Sequence, residues 1–287
     1  MKQQQDYKPA HGIHFDSVLA LSEYIEAGWQ DWEQGKHSGD SFTDCMTHQK
    51  ARAILAQGAY WPEGEKRMQK AALKLDKIPQ STVDVPMPDN YIVGHKANVG
   101  AFLAGSPYSM TRYVYTPMDD KRCRMLVSVA GSGMVKHQAL MNRGAAIMGA
   151  IDNLQSQGYA VELTVGFFIT NHSSGKGGEQ VHYTVTVKNF QDTYTPAALA
   201  FVLAEPSFFR RNLFSVFDID LQQTKHPLLD SMKINLGYPV SKMDHLPFDI
   251  VYESLHGTDG WTAENSADKA MERVYKWLER NKSEAAA

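Results

Sequence analysis

The chain has 287 residues, 43% of them hydrophobic and 21% charged, with a net charge of -3 and two cysteines. That length buries a substantial core without covalent staples, and Cys45 and Cys123, far apart in sequence, read as reduced thiols rather than a disulfide framework. No apolar run approaches the roughly 18 residues of a membrane span and the start is polar, so neither membrane insertion nor secretion is expected, and the cytoplasm is the expected location.

Residues 1–13, Gln-rich with Pro9 and Gly12, read as disordered or loosely attached. Val18, Leu21, Tyr24, Ile25 and Trp29 then recur at helical spacing. A second helix is predicted over Thr47–Gln57, stopping at Gly58, and a third from Pro62, which suits a first helical turn. Lys66, Lys70, Lys74 and Lys77, with Arg67, keep much of the charge on one side of that third helix. The plain reading is a solvated face, and a nucleic-acid contact face is the alternative. Pro79, Pro86 and Pro88 make 78–89 extended, which divides an N-terminal helical region, 1–80, from an α/β core, 81–287.

In the core, Tyr91–Val93 reads as a short strand and Asn98–Leu103 as a helical turn ending near Gly105. Arg112-Tyr-Val-Tyr115 alternates, and it is expected to pair with the apolar strand Arg124–Ala130 across a turn at Asp119-Asp120. After Gly131-Ser132-Gly133, the residues Leu140, Gly144, Ile147, Met148, Ile151 and Leu154 mark a helix that stops at Gly158. Val161–Ile169 is predicted as a mostly buried strand, followed by the loop 171–180 and a second strand over Val181–Val187. In that strand Val181, Tyr183, Val185 and Val187 face the core, and His182, Thr184, Thr186 and Lys188 face water. Thr195-Pro196 starts another helix, Pro206 begins an apolar piece through Phe217, and 220–246 reads as irregular. Phe248–Tyr252 supplies the last strand. Thr262 is placed to cap a final helix with the stripe Ala267, Ala270, Met271, Val274, Trp277 and Leu278. The expected fold class is α/β: a central mixed sheet flanked by helices, with a small N-terminal helical appendage.

The Gly131-Ser132-Gly133 turn sits where such folds hold ligands, yet it carries little catalytic chemistry. Ala130 occupies the first glycine position of a nucleophile elbow. Gly175-Lys176-Gly177 lacks the upstream glycine and the following Ser or Thr of a phosphate loop. Cys45 and His48 have metal-like spacing without a second pair. No enzyme activity and no cofactor are therefore expected.

Aromatic and basic residues do interleave, at Tyr108–Tyr115 with Arg112, at Phe208-Phe209-Arg210-Arg211, and at Tyr183 with Lys188 and Phe190. Single-stranded nucleic acid is held by such combinations, because bases stack on rings while cations follow the phosphates. Ordinary burial of those rings is the competing reading. The candidate DNA contacts are Lys121, Arg122, Arg124, Lys136, Lys176, Arg210 and Arg211, with Tyr113, Tyr115 and Phe209 as stacking platforms.

Two resemblances bear on this reading. The arrangement around Arg124–Gly133 resembles the von Willebrand factor type A domain, whose first strand ends in Asp-x-Ser-x-Ser. Here Ser128-Val-Ala-Gly-Ser132 stands in that place, so a divalent metal would lose its charged ligand. Phe15-Asp-Ser-Val-Leu, Trp61-Pro-Glu-Gly64, Leu103-Ala-Gly-Ser-Pro107 with Met110, and Arg143-Gly-Ala-Ala146 together resemble a family of bacteriophage proteins over roughly residues 13–190. Within it the chain is most similar to the Drc type, single-stranded DNA-binding cofactors of the phage-encoded RNA polymerase in virulent podoviruses. That resemblance implies sequence-independent binding of single-stranded DNA in a fold other than an OB barrel, recruitment of a phage RNA polymerase to opened promoters, and no catalysis. Homo-oligomers in the host cytoplasm are expected, since several subunits would extend the binding groove. The alternative is a degenerate type A-like protein-interaction domain without DNA binding.

Overall fold

The structure, a computed structural model, describes residues 10–28, 46–75, 90–91, 96–97, 103–107, 110–111, 121–173, 178–192, 195–233, 236–243, 245–256 and 260–285. Among these residues the central sheet has six strands: β1 (His11–Phe15), β5 (Arg122–Ser128), β6 (Ala160–Thr170), β7 (Gln180–Lys188), β8 (Tyr238–Pro239) and β9 (Ile250–Tyr252). Its order is β1-β7-β6-β5-β9, with β8 on the far end of β6. β5 lies parallel to both β6 and β9, β7 is antiparallel to β6, and β1 is parallel to β7. The sheet is therefore mixed, as its alternating and continuously apolar strands led one to expect. A second, small sheet joins β2 (Asn90–Tyr91), β4 (Met110–Thr111) and β3 (Lys96–Ala97).

The helices are α1 (Val18–Gly28), α2 (His48–Ala56), α3 (Pro62–Ala72), α4 (His137–Ser156), α5 (Pro196–Ala204), α6 (Phe214–Thr224), α7 (Pro227–Met232) and α8 (Ser266–Ala285). A π-helix, Phe208–Leu213, runs into α6. Thr47 caps α2 by accepting from the Lys50 backbone N–H at 3.2 Å, and Pro62 opens α3. One apolar cluster joins these helices to a single face of the sheet, from Phe15, Leu21 and Leu55 through Met125, Val127, Val165 and Tyr183 to Val274 and Trp277. Gly144 permits close approach of α4 to α5, since a Cβ there would stand 3.0 Å from that of Ala204.

Several local expectations change. Residues 11–13 belong to β1 rather than to a loose tail. The strand is tied down by His11, whose Nε2 meets Asp220 Oδ2 at 2.6 Å, while the Tyr183 hydroxyl donates to the same oxygen at 2.7 Å. Burial beside that carboxylate pushes the Tyr183 hydroxyl well above its ordinary pKa. Residues 112–115, expected to pair with the 124–130 strand across a turn at 119–120, lie outside the described residues; β5 itself pairs with β6 and β9. The stretch 220–246 is not wholly irregular, since it contains the end of α6 and all of α7. Nor is the second face of β7 uniformly wet: His182 and Lys188 are buried. Residues 240–243 and 245–248 fold over that side, where Val240, Met243 and Leu246 pack with Leu126, Phe168 and Val251. Lys188 turns back along the sheet and donates to the Val161 carbonyl at 2.7 Å.

Candidate functional site

The strand-to-helix turn at Gly131-Ser132-Gly133 extends the pairing of β5 with β9. Leu255 donates its N–H to the Ala130 carbonyl at 2.9 Å, and its own carbonyl accepts from the Ser132 N–H at 3.0 Å. Two buried arginines brace the junction from the helical side. Arg143 on α4 donates to the carbonyls of Ser128, Tyr252 and Glu253 at 2.8, 3.2 and 2.7 Å, and so ties the carboxyl ends of both strands. Arg210 of the π-helix donates to the Ser132 carbonyl at 3.1 Å, with its guanidinium 4.9 Å from the Phe209 ring centroid. Burial lowers the Arg210 pKa to about 10, which leaves it charged at neutral pH. Ser128, at the position where the type A resemblance places a metal-holding aspartate, has its hydroxyl buried 2.8 Å from that of Ser254.

Beyond the carboxyl ends of β5 and β9 lie residues 129–136, which lead to α4, and residues 253–256 and 260–265, the latter leading into α8. A cavity of about 680 Å³ lies between them, lined by Met134, Val135 and Lys136, by Gln138, Ala139 and Asn142 of α4, by His256 and residues 260–264, and by Lys74 just past α3. This is the place at which open α/β sheets take ligands. A smaller pocket of about 230 Å³ adjoins it, sharing Lys74 and Gln138 and adding Arg67, Lys70, Ala71, His137 and Met141. The two form one cleft across α3 and the start of α4.

Charge in that cleft is one-sided. Glu264 is the only carboxylate among the described residues that line it, against Arg67, Lys70, Lys74 and Lys136. The Thr262 hydroxyl, hydrogen-bonded to the Glu264 carboxylate, keeps its pKa below the ordinary value. Lys136 is also the N-cap of the 20-residue α4 and makes no side-chain cap bond, so the first N–H groups of α4 add a partial positive charge to the same wall. Met134, 82% exposed, offers apolar surface at the cleft. The cleft's floor is held in place: Asn142 Nδ2 donates to the Trp261 carbonyl at 3.1 Å, and Lys269 Nζ and Asn265 Nδ2 donate to the Gly260 carbonyl at 2.6 and 2.8 Å.

The residues expected to contact DNA do not gather in one place. Lys136 lines the cleft. Lys121, Arg122 and Arg124 are exposed, but they lie at the opposite, amino-terminal end of β5. There Lys121 stands 5.6 Å from the Tyr159 ring and Arg122 5.5 Å from the Phe190 ring, and the Arg124 backbone N–H donates to Asp249 at 2.7 Å. Phe209, Arg210 and Arg211 are buried, so this structure corrects their assignment to a DNA-facing surface: the π-helix turns them inward. Tyr113, Tyr115 and Lys176 lie outside the described residues. The sequence reads the basic side of α3 as a solvated face, with a nucleic-acid contact face as the alternative, and gives residues 260–264 no part in a site beyond Thr262 as a helix cap. The lysine spacing on α3 was the available signal; nothing local linked it to α4.

A family model described as "Domain of unknown function (DUF7192)" matches residues 6–279. No curated protein and no solved structure matches the chain.

Proposed function

This chain belongs to the DUF7192 family, and we propose that it is a sequence-nonspecific single-stranded DNA-binding protein whose contact surface is the cleft between α3 and the start of α4. The observation that carries this is the convergence of Arg67, Lys70, Lys74 and Lys136 on one cleft with a single carboxylate among the described residues of its lining. Cations placed in this way neutralise successive phosphates and release condensed counterions. Met134 and Trp261 in the lining add apolar contact for base faces, which a duplex hides and a single strand exposes. No base-edge readout is implied, so binding is indifferent to sequence. The resemblance to phage polymerase cofactors extends the proposal to a phage RNA polymerase as partner and to a homo-oligomer that lengthens the cleft.

The test is a gel shift with single-stranded DNA, duplex DNA and RNA across a salt series. Single strands are expected to bind best. With about four phosphate contacts, the slope of log affinity against log salt should be about -3, at about -0.7 per contact. Arg67→Glu with Lys70→Glu should weaken binding at least about tenfold, the equivalent of about 1.4 kcal/mol, while circular dichroism stays unchanged. Absence of any shift at low salt sinks the proposal. If Arg122→Glu with Arg124→Glu abolishes binding and the α3 pair does not, the contact surface lies at the other end of β5.

A further inference from the structure

We infer that the cavity beyond the carboxyl ends of β5 and β9 is a binding site for a nucleotide phosphomonoester, either a free nucleoside monophosphate or the phosphorylated end of a nucleic-acid strand. This deepens the DNA-binding reading, and rests on it only for the approach of a strand end.

Size is the first argument. About 680 Å³ falls within the range of small-molecule sites, roughly 300–1,000 Å³, and far exceeds what one or two waters fill. The distribution of chemistry is the second. Among the described residues Lys74 and Lys136 are the lysines of the lining, and Lys136 stands where α4 begins, so a doubly charged phosphate in the cavity is attracted by both ammonium groups and by the positive end of a long helix. Met134, Val135 and Trp261 give the apolar wall that a planar base requires. Among the described residues of the lining Glu264 is the one carboxylate, able to accept from a sugar hydroxyl or a base amino group and unfavourable to a second phosphate beside it. A monophosphate therefore suits the lining better than a polyphosphate.

Preorganisation is the third argument. Gln138 donates to Asn142, and Asn142 donates to the Trp261 carbonyl. The Arg143 guanidinium lies 5.6 Å from the Trp261 ring and anchors both strand ends below it. A site held in this way loses little ordering entropy on binding. The adjoining Arg67 and Lys70 then lie where the rest of a strand would leave the cavity.

Titration calorimetry of the full chain with AMP and dAMP, set beside adenosine and inorganic phosphate, tests this. A nucleoside monophosphate is expected to bind at least tenfold more tightly than either fragment. In parallel, oligonucleotides with and without a terminal phosphate, and a circular single strand that has no end, are compared by gel shift. Tighter binding of phosphorylated ends together with competition by AMP assigns the cavity to strand ends. AMP binding with no preference among oligonucleotides assigns it to free nucleotide. No monophosphate binding and equal affinity for all oligonucleotides overturns the inference, even where the circular strand binds and the DNA reading stands. Loss of circular-strand binding with AMP binding retained does the reverse. Lys136→Glu should weaken AMP at least tenfold; unchanged AMP binding in that variant, or in the cavity-filling Ala139→Trp, also overturns it.

Discussion

The His182 ring stands edge-on to Phe168, with centroids 4.8 Å apart and planes at 66°, on the face of the sheet that Val240, Met243 and Leu246 cover. Its Nε2–H donates to Gln180 Oε1 at 3.0 Å. Burial, reinforced by the nearby His245, lowers its pKa from 6.5 to about 4. Above about pH 6.5 the ring is neutral in both the folded and the unfolded chain and adds no pH dependence. As pH falls from there toward about 4, the unfolded chain takes up a proton that the folded ring refuses, so folded stability is lost across this window. The loss is about 1.4 kcal/mol per pH unit at its steepest. His182→Phe keeps a ring against Phe168 without a titrating nitrogen, and should flatten melting temperature against pH between 7 and 4.5. An equally steep fall in the variant would place the cause elsewhere.

Gly64 is expected to tolerate no side chain. A Cβ built there would stand 1.8 Å from Cε3 of Trp61, inside the ring's own volume. Trp61 is buried and packs edge-on to Phe201, with centroids 6.1 Å apart, at the junction of α3 and α5. Gly64→Ala must therefore displace the indole and should cost about 1–3 kcal/mol, which urea denaturation measures directly. A cost near zero, alongside the small helix-propensity gain of alanine, would mean that Trp61 has an alternative seat.

Arg143 spans three carbonyls from two strands, a task suited to a planar fork with five donors. Arg143→Met leaves those acceptors without their guanidinium and should destabilise the fold by at least about 3 kcal/mol, at about 1–3 kcal/mol for each buried group left unsatisfied. Arg143→Lys should recover little, because one ammonium cannot reach carbonyls on both β5 and β9. Near-full recovery by lysine in chemical denaturation would show that charge rather than the fork holds the junction.

Much of the scaffold was legible in the sequence. The alternation of Val181, Tyr183 and Val185 places one face of β7 against the core, and the spacing of Ala267, Ala270, Met271, Val274 and Trp277 places α8, because burial of a regular element leaves its period in the chain. β1 was not legible. Residues 11–15 hold their place through β7 and Asp220, partners about 170 and 209 residues away, and no local pattern records them. Arg210 and Arg211 misled for the opposite reason: a charged pair in sequence defaults to water, whereas the folded chain gives Arg210 the Phe209 ring and the Ser132 carbonyl as interior partners.

The candidate site divides in the same way. The sequence by itself determined that the chain is α/β, that a Gly-Ser-Gly turn ends a central strand, and that basic residues recur along one side of α3. Those features depend on neighbours within a few turns of chain. The tertiary structure alone decided which cations act together: it set Lys74 and Lys136 on the lining of one cavity with His256 and residues 260–264, sent Arg210 inward, and left Lys121, Arg122 and Arg124 at the far end of β5. Electrostatic attraction falls off within about 10 Å in salt, so a common anion site depends on distances through space, and those are set by how α3, α4 and the ends of β5 and β9 pack.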